Sequence, residues 1–173
     1  MKKQPVQLSP RALAQNKYNS ARANLFLMLA LTAVNIILLF FKSDYMLLFS
    51  ATVPYLAVLF GQLSGVTSGL VVGVCIAAII ILVYFLCWIL SKKSYGWMIA
   101  ALVLFSIDTI ALVGFYIFAG EFSGIIDAAI HALVLYYLIV GTINGIKLSK
   151  LPEEEEEDEA IIEEELTTPS EEQ

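Results

Sequence analysis

Residues 97–145 read WMIAALVLFSIDTIALVGFYIFAGEFSGIIDAAIHALVLYYLIVGTING. Two apolar runs, 97–119 and 124–146, are joined by the short turn 120–124. A helix crosses the hydrocarbon core of a bilayer in roughly 20 apolar residues, so each run is long enough to span. Inside them sit Asp108, Asp127 and His131. A charge at that depth costs roughly 2.5 kcal/mol or more on insertion scales, so such groups face the protein interior, pair, or stay neutral.

Asp127 and His131 are four residues apart, which stacks them on one helix face. That face continues through Val134, Leu138, Gly141, Thr142 and Gly145, and its small and polar character turns it inward. At about 1.5 Å per residue, Asp127 falls just inside one interface, His131 about 6 Å deeper and Asp108 deeper still. The order Asp127, His131, Asp108 reads as a candidate proton relay, because histidine titrates near neutral pH. The plainer alternative is a structural network. In that reading Asp127 orients the His131 ring and Asp108 bonds a neighbouring helix. No tight ligand motif surrounds these residues, so no metal is expected.

Hydrophobic residues make up 59% of the 173 and charged residues 15%, too apolar and too sparsely charged for a water-soluble domain. Two further apolar runs, 24–41 and 69–90, are long enough to span. The segment 45–61 is shorter and carries Pro54 near its middle, which removes a backbone donor and is expected to break a helix. Counting loop charges decides its role. Cytoplasmic loops are enriched in Lys and Arg. The basic leader 1–22 and the loop Ser91–Lys92–Lys93–Ser94 then lie on the same side, so an even number of crossings separates them. The run 69–90 is the stronger second crossing, which leaves 45–61 re-entrant or interfacial. The expected fold is an all-α integral membrane protein with four crossings, 24–41, 69–90, 97–119 and 124–146, and both termini cytoplasmic. The leader's Pro5 and Pro10 keep its start irregular, with room for a short surface helix.

The net charge of −6 is unevenly spread: twelve of the sixteen acids lie in 153–173, and none of the ten basic residues does. That block is expected to be an acidic, disordered cytoplasmic tail, 150–173, because like charges repel and stay solvated. The basic residues are scattered over helix ends, so nucleic-acid binding is not expected. Cys75 and Cys87 lie twelve residues apart on one helix, about 18 Å, beyond disulfide reach, and read as buried thiols.

Two packing features complete the reading. Asn35, near mid-depth of the first helix, is expected to bond across to another helix, with Asp108 one possible partner. Gly61, Gly65, Gly69 and Gly73 recur every four residues and form one smooth stripe if they share a helix. Small residues let helices approach closely in lipid, and Gly141 and Gly145 offer a matching surface. The pentapeptide Gly61–Gln62–Leu63–Ser64–Gly65 resembles the serine motif of rhomboid proteases, but its glycine stands one position too far from Ser64 and the six-helix core is absent.

A basic leader, a first helix, the segment Ser50–Ala51–Thr52–Val53–Pro54–Tyr55 and a closing helix hairpin together resemble small bacterial polytopic membrane proteins. The resemblance covers most of 20–150 and implies a bacterial plasma-membrane location. It attaches no activity, cofactor or catalytic residue. Two functions follow as expectations. One is a non-enzymatic protein acting through helix–helix association, as a homo-oligomer or as a subunit of a membrane complex. The other is a small proton-coupled transporter or channel using Asp108, Asp127 and His131.

Overall fold

The computed structural model describes residues 9–43, 45, 47–120 and 125–152; most of the turn 120–124 and of the tail 150–173 lies outside these, as does 1–8. Five helices follow one another: α1 (Pro10–Phe40), α2 (Thr52–Leu63), α3 (Thr67–Leu90), α4 (Gly96–Ala119) and α5 (Ile125–Leu148). No strand occurs among the described residues. Four of the helices are long and apolar enough to cross a membrane, and α2 is not.

These helices are apolar on nearly every side. Buried positions such as Leu25, Met28, Met98, Phe105 and Leu138 form the core. Outward positions are equally greasy: Phe118 is 94% exposed, Ile117 76% and Ile110 72%. In water such a surface would aggregate. Against lipid tails it is the expected exterior, because the solvent is as apolar as the core. Cys87 is buried, whereas Cys75 is exposed on this outer surface, so only one thiol lies inside.

α1 corrects the expected division between an irregular leader and a helix from 24 to 41. It is one unbroken helix of 31 residues, about 46 Å long against a hydrocarbon core of about 30 Å. The hydroxyl of Ser9 accepts from the Ala12 N–H at 3.1 Å and caps the start. Pro10 occupies the first turn, where its missing N–H has no helical partner to lose. Nothing between Arg11 and Asn24 interrupts the helix. Its polar first turns fold against the bundle's end. Tyr18 Oη donates to the Ser91 carbonyl at 2.7 Å and Arg22 Nε donates to Ser91 Oγ at 2.9 Å.

α3 and α4 are joined by the tight turn around Ser91–Lys92–Lys93–Ser94, which marks one end of the bundle. α5 packs along both α1 and α4, and α2 lies on α3. α2 starts level with the middle of the long helices: its first two N–H groups bond Asp108, about 18 Å from one end of α4 and about 16 Å from the other. From there α2 returns to the end opposite Ser91, turns at Ser64–Gly65–Val66 and continues as α3. The helix covers 52–63 only; the start of the expected 45–61 segment is non-helical. Pro54 sits in the first turn of α2, where proline does no damage, and so does not break it.

The glycine series is also rearranged. Gly65 takes φ +69 and ends the helix, so Gly61 belongs to α2 while Gly69 and Gly73 belong to α3. There is no single stripe. The glycines instead face each other across the hairpin: a Cβ on Gly61 would lie 2.8 Å from the Gly69 carbonyl oxygen, and one on Gly73 would lie 2.3 Å from that of Ala57. Gly141 and Gly145 are not their counterpart. A Cβ on Gly141 would meet Ala21 at 2.5 Å, and one on Gly145 would meet Tyr95 and Tyr18, so both serve the contact of α5 with α1 and the α3–α4 turn.

Candidate functional site

A belt of buried polar side chains crosses the bundle at the level where α2 begins. Thr32, Asn35, Ser50, Thr52, Asp108 and His131 are each at most 4% exposed. Their common task is the non-helical stretch before α2. Unpaired backbone groups at this depth cost several kcal/mol each, on the order of the transfer of a bare amide to hydrocarbon. Irregular backbone survives here only if the protein supplies every partner.

α1 supplies the first set. Asn35 Nδ2 donates to the Leu47 carbonyl and to Ser50 Oγ, both at 2.7 Å, and Asn35 Oδ1 accepts from the Leu47 N–H at 2.7 Å. Thr32 Oγ1 accepts from the Ala51 N–H at 2.8 Å while donating to its own helix at the Met28 carbonyl. The bonds hold Phe49 at φ +67, a left-handed conformation that a side chain enters at a cost of about 1–2 kcal/mol. Asn35 thus serves the non-helical backbone before α2, and its bonds go to Leu47 and Ser50 and not to Asp108.

α4 supplies the second set. Asp108 Oδ2 accepts from the Thr52 N–H at 2.8 Å and Oδ1 accepts from the Val53 N–H at 2.7 Å. An α-helix start leaves its first N–H groups unpaired and carries a partial positive charge. No side chain of α2 caps this start. A carboxylate on a different helix, more than fifty residues away in sequence, does so instead.

α5 supplies His131. Its ring stacks on Phe105, with centroids 5.0 Å apart and planes 15° from parallel. Nδ1 lies 3.0 Å from the Asp127 backbone carbonyl. A carbonyl only accepts, so Nδ1 carries a hydrogen and donates it. Nε2 then faces two oxygens, Asp108 Oδ2 at 3.3 Å and Thr52 Oγ1 at 3.2 Å. With Nδ1 protonated, the Nε2 lone pair can accept from the Thr52 hydroxyl, while a hydrogen on Nε2 or on the Asp108 carboxyl would instead bond those two side chains directly.

Asp127 behaves differently from the expectation that its carboxylate orients His131. Only its main-chain carbonyl reaches the ring. Its carboxylate turns to α4, where Oδ2 accepts from Tyr116 Oη at 2.5 Å. The chain of side chains from Asp127 to His131 to Asp108 is therefore interrupted between the first two. Thr52 and Tyr116 are the partners that sequence reasoning missed. Tyr116 had a faint signal, since it stands across the turn from Asp127 in a hairpin; Thr52 had none, because its neighbours here lie on other helices.

The arrangement is not a hydrolytic triad. Such a relay places nucleophile and acid on opposite ring nitrogens. Here the Thr52 hydroxyl and the Asp108 carboxylate converge on the same one. Among the described residues, no third His, Cys, Asp or Glu joins the pair to make a metal-binding group. Comparison with known protein families, with curated proteins and with solved structures finds no match to this chain.

Proposed function

We propose that this chain is a multi-pass protein of a bacterial plasma membrane that links proton binding at mid-membrane to the state of its re-entrant helix, as a small proton-coupled transporter or channel. The observation that carries this reading is the Asp108–His131 pair: a buried carboxyl and imidazole 3.3 Å apart meet where the start of a broken helix is capped. Discontinuous helices beginning at the midplane recur where membrane proteins bind ions, because a half-helix end offers unpaired backbone and a partial charge. Proton uptake by Asp108 would remove the negative charge that faces the start of α2 and weaken its cap. Proton occupancy and the seating of α2 would then be one equilibrium.

The distribution of basic residues supports an orientation with both termini cytoplasmic. Among the described residues, Arg11, Lys17, Arg22, Lys92, Lys93, Lys147 and Lys150 flank the Ser91 end, and Lys42 is the one basic residue near the other. Positive residues favour the cytoplasmic side.

Reconstitution tests the reading directly. In liposomes loaded with a pH-sensitive dye and given a potassium diffusion potential, the protein should dissipate a pH gradient faster than protein-free liposomes. Asp108→Asn should abolish that flux while the protein still purifies as a folded monomer. Flux no faster than that of empty liposomes refutes the proposal.

A second reading, a non-enzymatic subunit acting through helix association, has one observation in its favour. A shallow groove of about 490 Å³ runs along the outer face of α2 and α3, lined by Phe60, Gly61, Gly69, Val72, Gly73 and Ile76. The exposed Cys75 is next to it in sequence and reports on it. Oxidative crosslinking through Cys75 at low protein-to-lipid ratio should trap a dimer if that face pairs two copies, and only monomer if it meets lipid.

A further inference from the structure

The Ser91 end of the bundle carries a second polar feature, remote from the Asp108–His131 pair. A pocket of about 390 Å³ opens there between the start of α1, the α3–α4 turn and the end of α5. Arg11, Lys92 and Lys93 bring its positive charge, and Tyr18, Ser94 and Tyr95 add polar groups. Among the described residues the one close pairing of opposite charge types is His131 with Asp108, so no described carboxylate partners any of these three cations. Three cations lining one concavity with no described carboxylate beside them make a site for an anion.

The chain itself delivers one. Arg11 Nη1 donates to the carbonyls of Leu151, at 2.9 Å, and Pro152, at 2.5 Å. Those bonds hold the chain leaving α5 against a residue that lines the pocket. The next seven residues, 153–159, are five glutamates, an aspartate and a glutamate. Seven residues reach at most about 23 Å when extended, enough to cross the pocket from the Arg11 rim. Tethering raises the effective concentration of such a segment to the millimolar range, so modest contacts suffice to fill the site. The cleft on the other side of Leu151 is a poorer match, because Pro10, Leu13 and Ala14 line it beside its lysines.

We propose that the acidic segment 153–159 is the intrachain occupant of this basic pocket, neutralising Arg11, Lys92 and Lys93. The segment would then hold these cations away from anionic lipid headgroups, which attract basic residues at the cytoplasmic surface. Exposed charges are screened within about 10 Å at 0.1 M salt, so the docking weakens as ionic strength rises.

The test uses the full chain in nanodiscs of zwitterionic lipid. A carbodiimide joins carboxylates to amines in direct contact, and peptide mapping locates the new amides. Intrachain amides between Lys92 or Lys93 and 153–159 are expected, falling about fivefold or more in roughly 0.5 M NaCl through screening. In a chain whose seven acids are replaced by serine, acetylation of Lys92 and Lys93 should be faster by a similar factor. Arg11→Gln should lower the amide yield by releasing the tether. The proposal is overturned if amides join only different chains in a mixture of isotopically labelled and unlabelled protein, or only Lys147 and Lys150. It is equally overturned if Lys92 and Lys93 react alike with and without the acids, or are protected only when phosphatidylglycerol is present, which would make a lipid headgroup the occupant.

Discussion

In the α2–α3 hairpin the main chains themselves meet: a Cβ on Gly73 would lie 2.3 Å from the carbonyl oxygen of Ala57. In the α4–α5 hairpin side chains make the connection, with Tyr116 bonded to Asp127 and Asp108 to His131. Both hairpins face the same difficulty. Lipid offers helices no hydrophobic reason to associate, which leaves close packing and hydrogen bonds. One hairpin uses the first and the other the second. The two contacts differ in what they place inside the bundle: the glycine hairpin buries main chain against main chain, whereas the polar hairpin buries a carboxyl and an imidazole, and the two are joined where Asp108 caps α2.

The sharpest way to break this contrast is Asp108→Ala. It removes the cap of α2 and leaves two N–H groups and a buried imidazole without partners. A loss of about 3–5 kcal/mol is expected, as for breaking a buried ion pair, read as unfolding in mixed detergent micelles. Gly73→Ala tests the other arm: its methyl group has backbone in its way, and a loss of about 3 kcal/mol is expected from overpacking. If Gly73→Ala is tolerated while Asp108→Ala is not, the main-chain contact is dispensable and the contrast fails. Asn35→Ala releases Leu47 and Ser50, and a loss of about 2 kcal/mol is expected, since intramembrane hydrogen bonds are worth about 0.6–2 kcal/mol each. Gly65→Ala has open space around it but a positive φ, so only the conformational cost of about 1 kcal/mol should appear. Gly114→Ala on α4 meets nothing within 4 Å and should gain about 0.5–1 kcal/mol, the ordinary benefit of alanine over glycine inside a helix.

How far each feature could be read from residue order depends on how local it is. The four spanning helices follow from uninterrupted apolar length, and the short piece containing Pro54 stands out because it lacks that length. The exclusion of a fifth crossing needed only the placement of lysines and arginines. The glycine series shows the limit. A spacing of four predicts a stripe only while the helix continues, and the left-handed turn at Gly65 folds the stripe onto itself. The extent of α1 was hidden for a related reason: its first turns are polar, so a hydropathy reading stops near residue 24 although the helix does not.

Residue order by itself determined the class of this protein, the number of its long apolar helices and the set of ionisable groups that must avoid lipid, because each depends on composition within about twenty neighbours. The tertiary structure alone decided who meets whom: Asp108 with the start of α2, Asn35 with Leu47, and the Asp127 carboxylate with Tyr116 instead of His131. Those pairings depend on how each helix is rotated about its axis and at what depth it is seated. The small and polar stripe of α5, from His131 through Val134, Leu138 and Gly141 to Gly145, did mark its inward side, but the two sides of the other long helices are almost equally apolar, and periodicity there does not record the rotation.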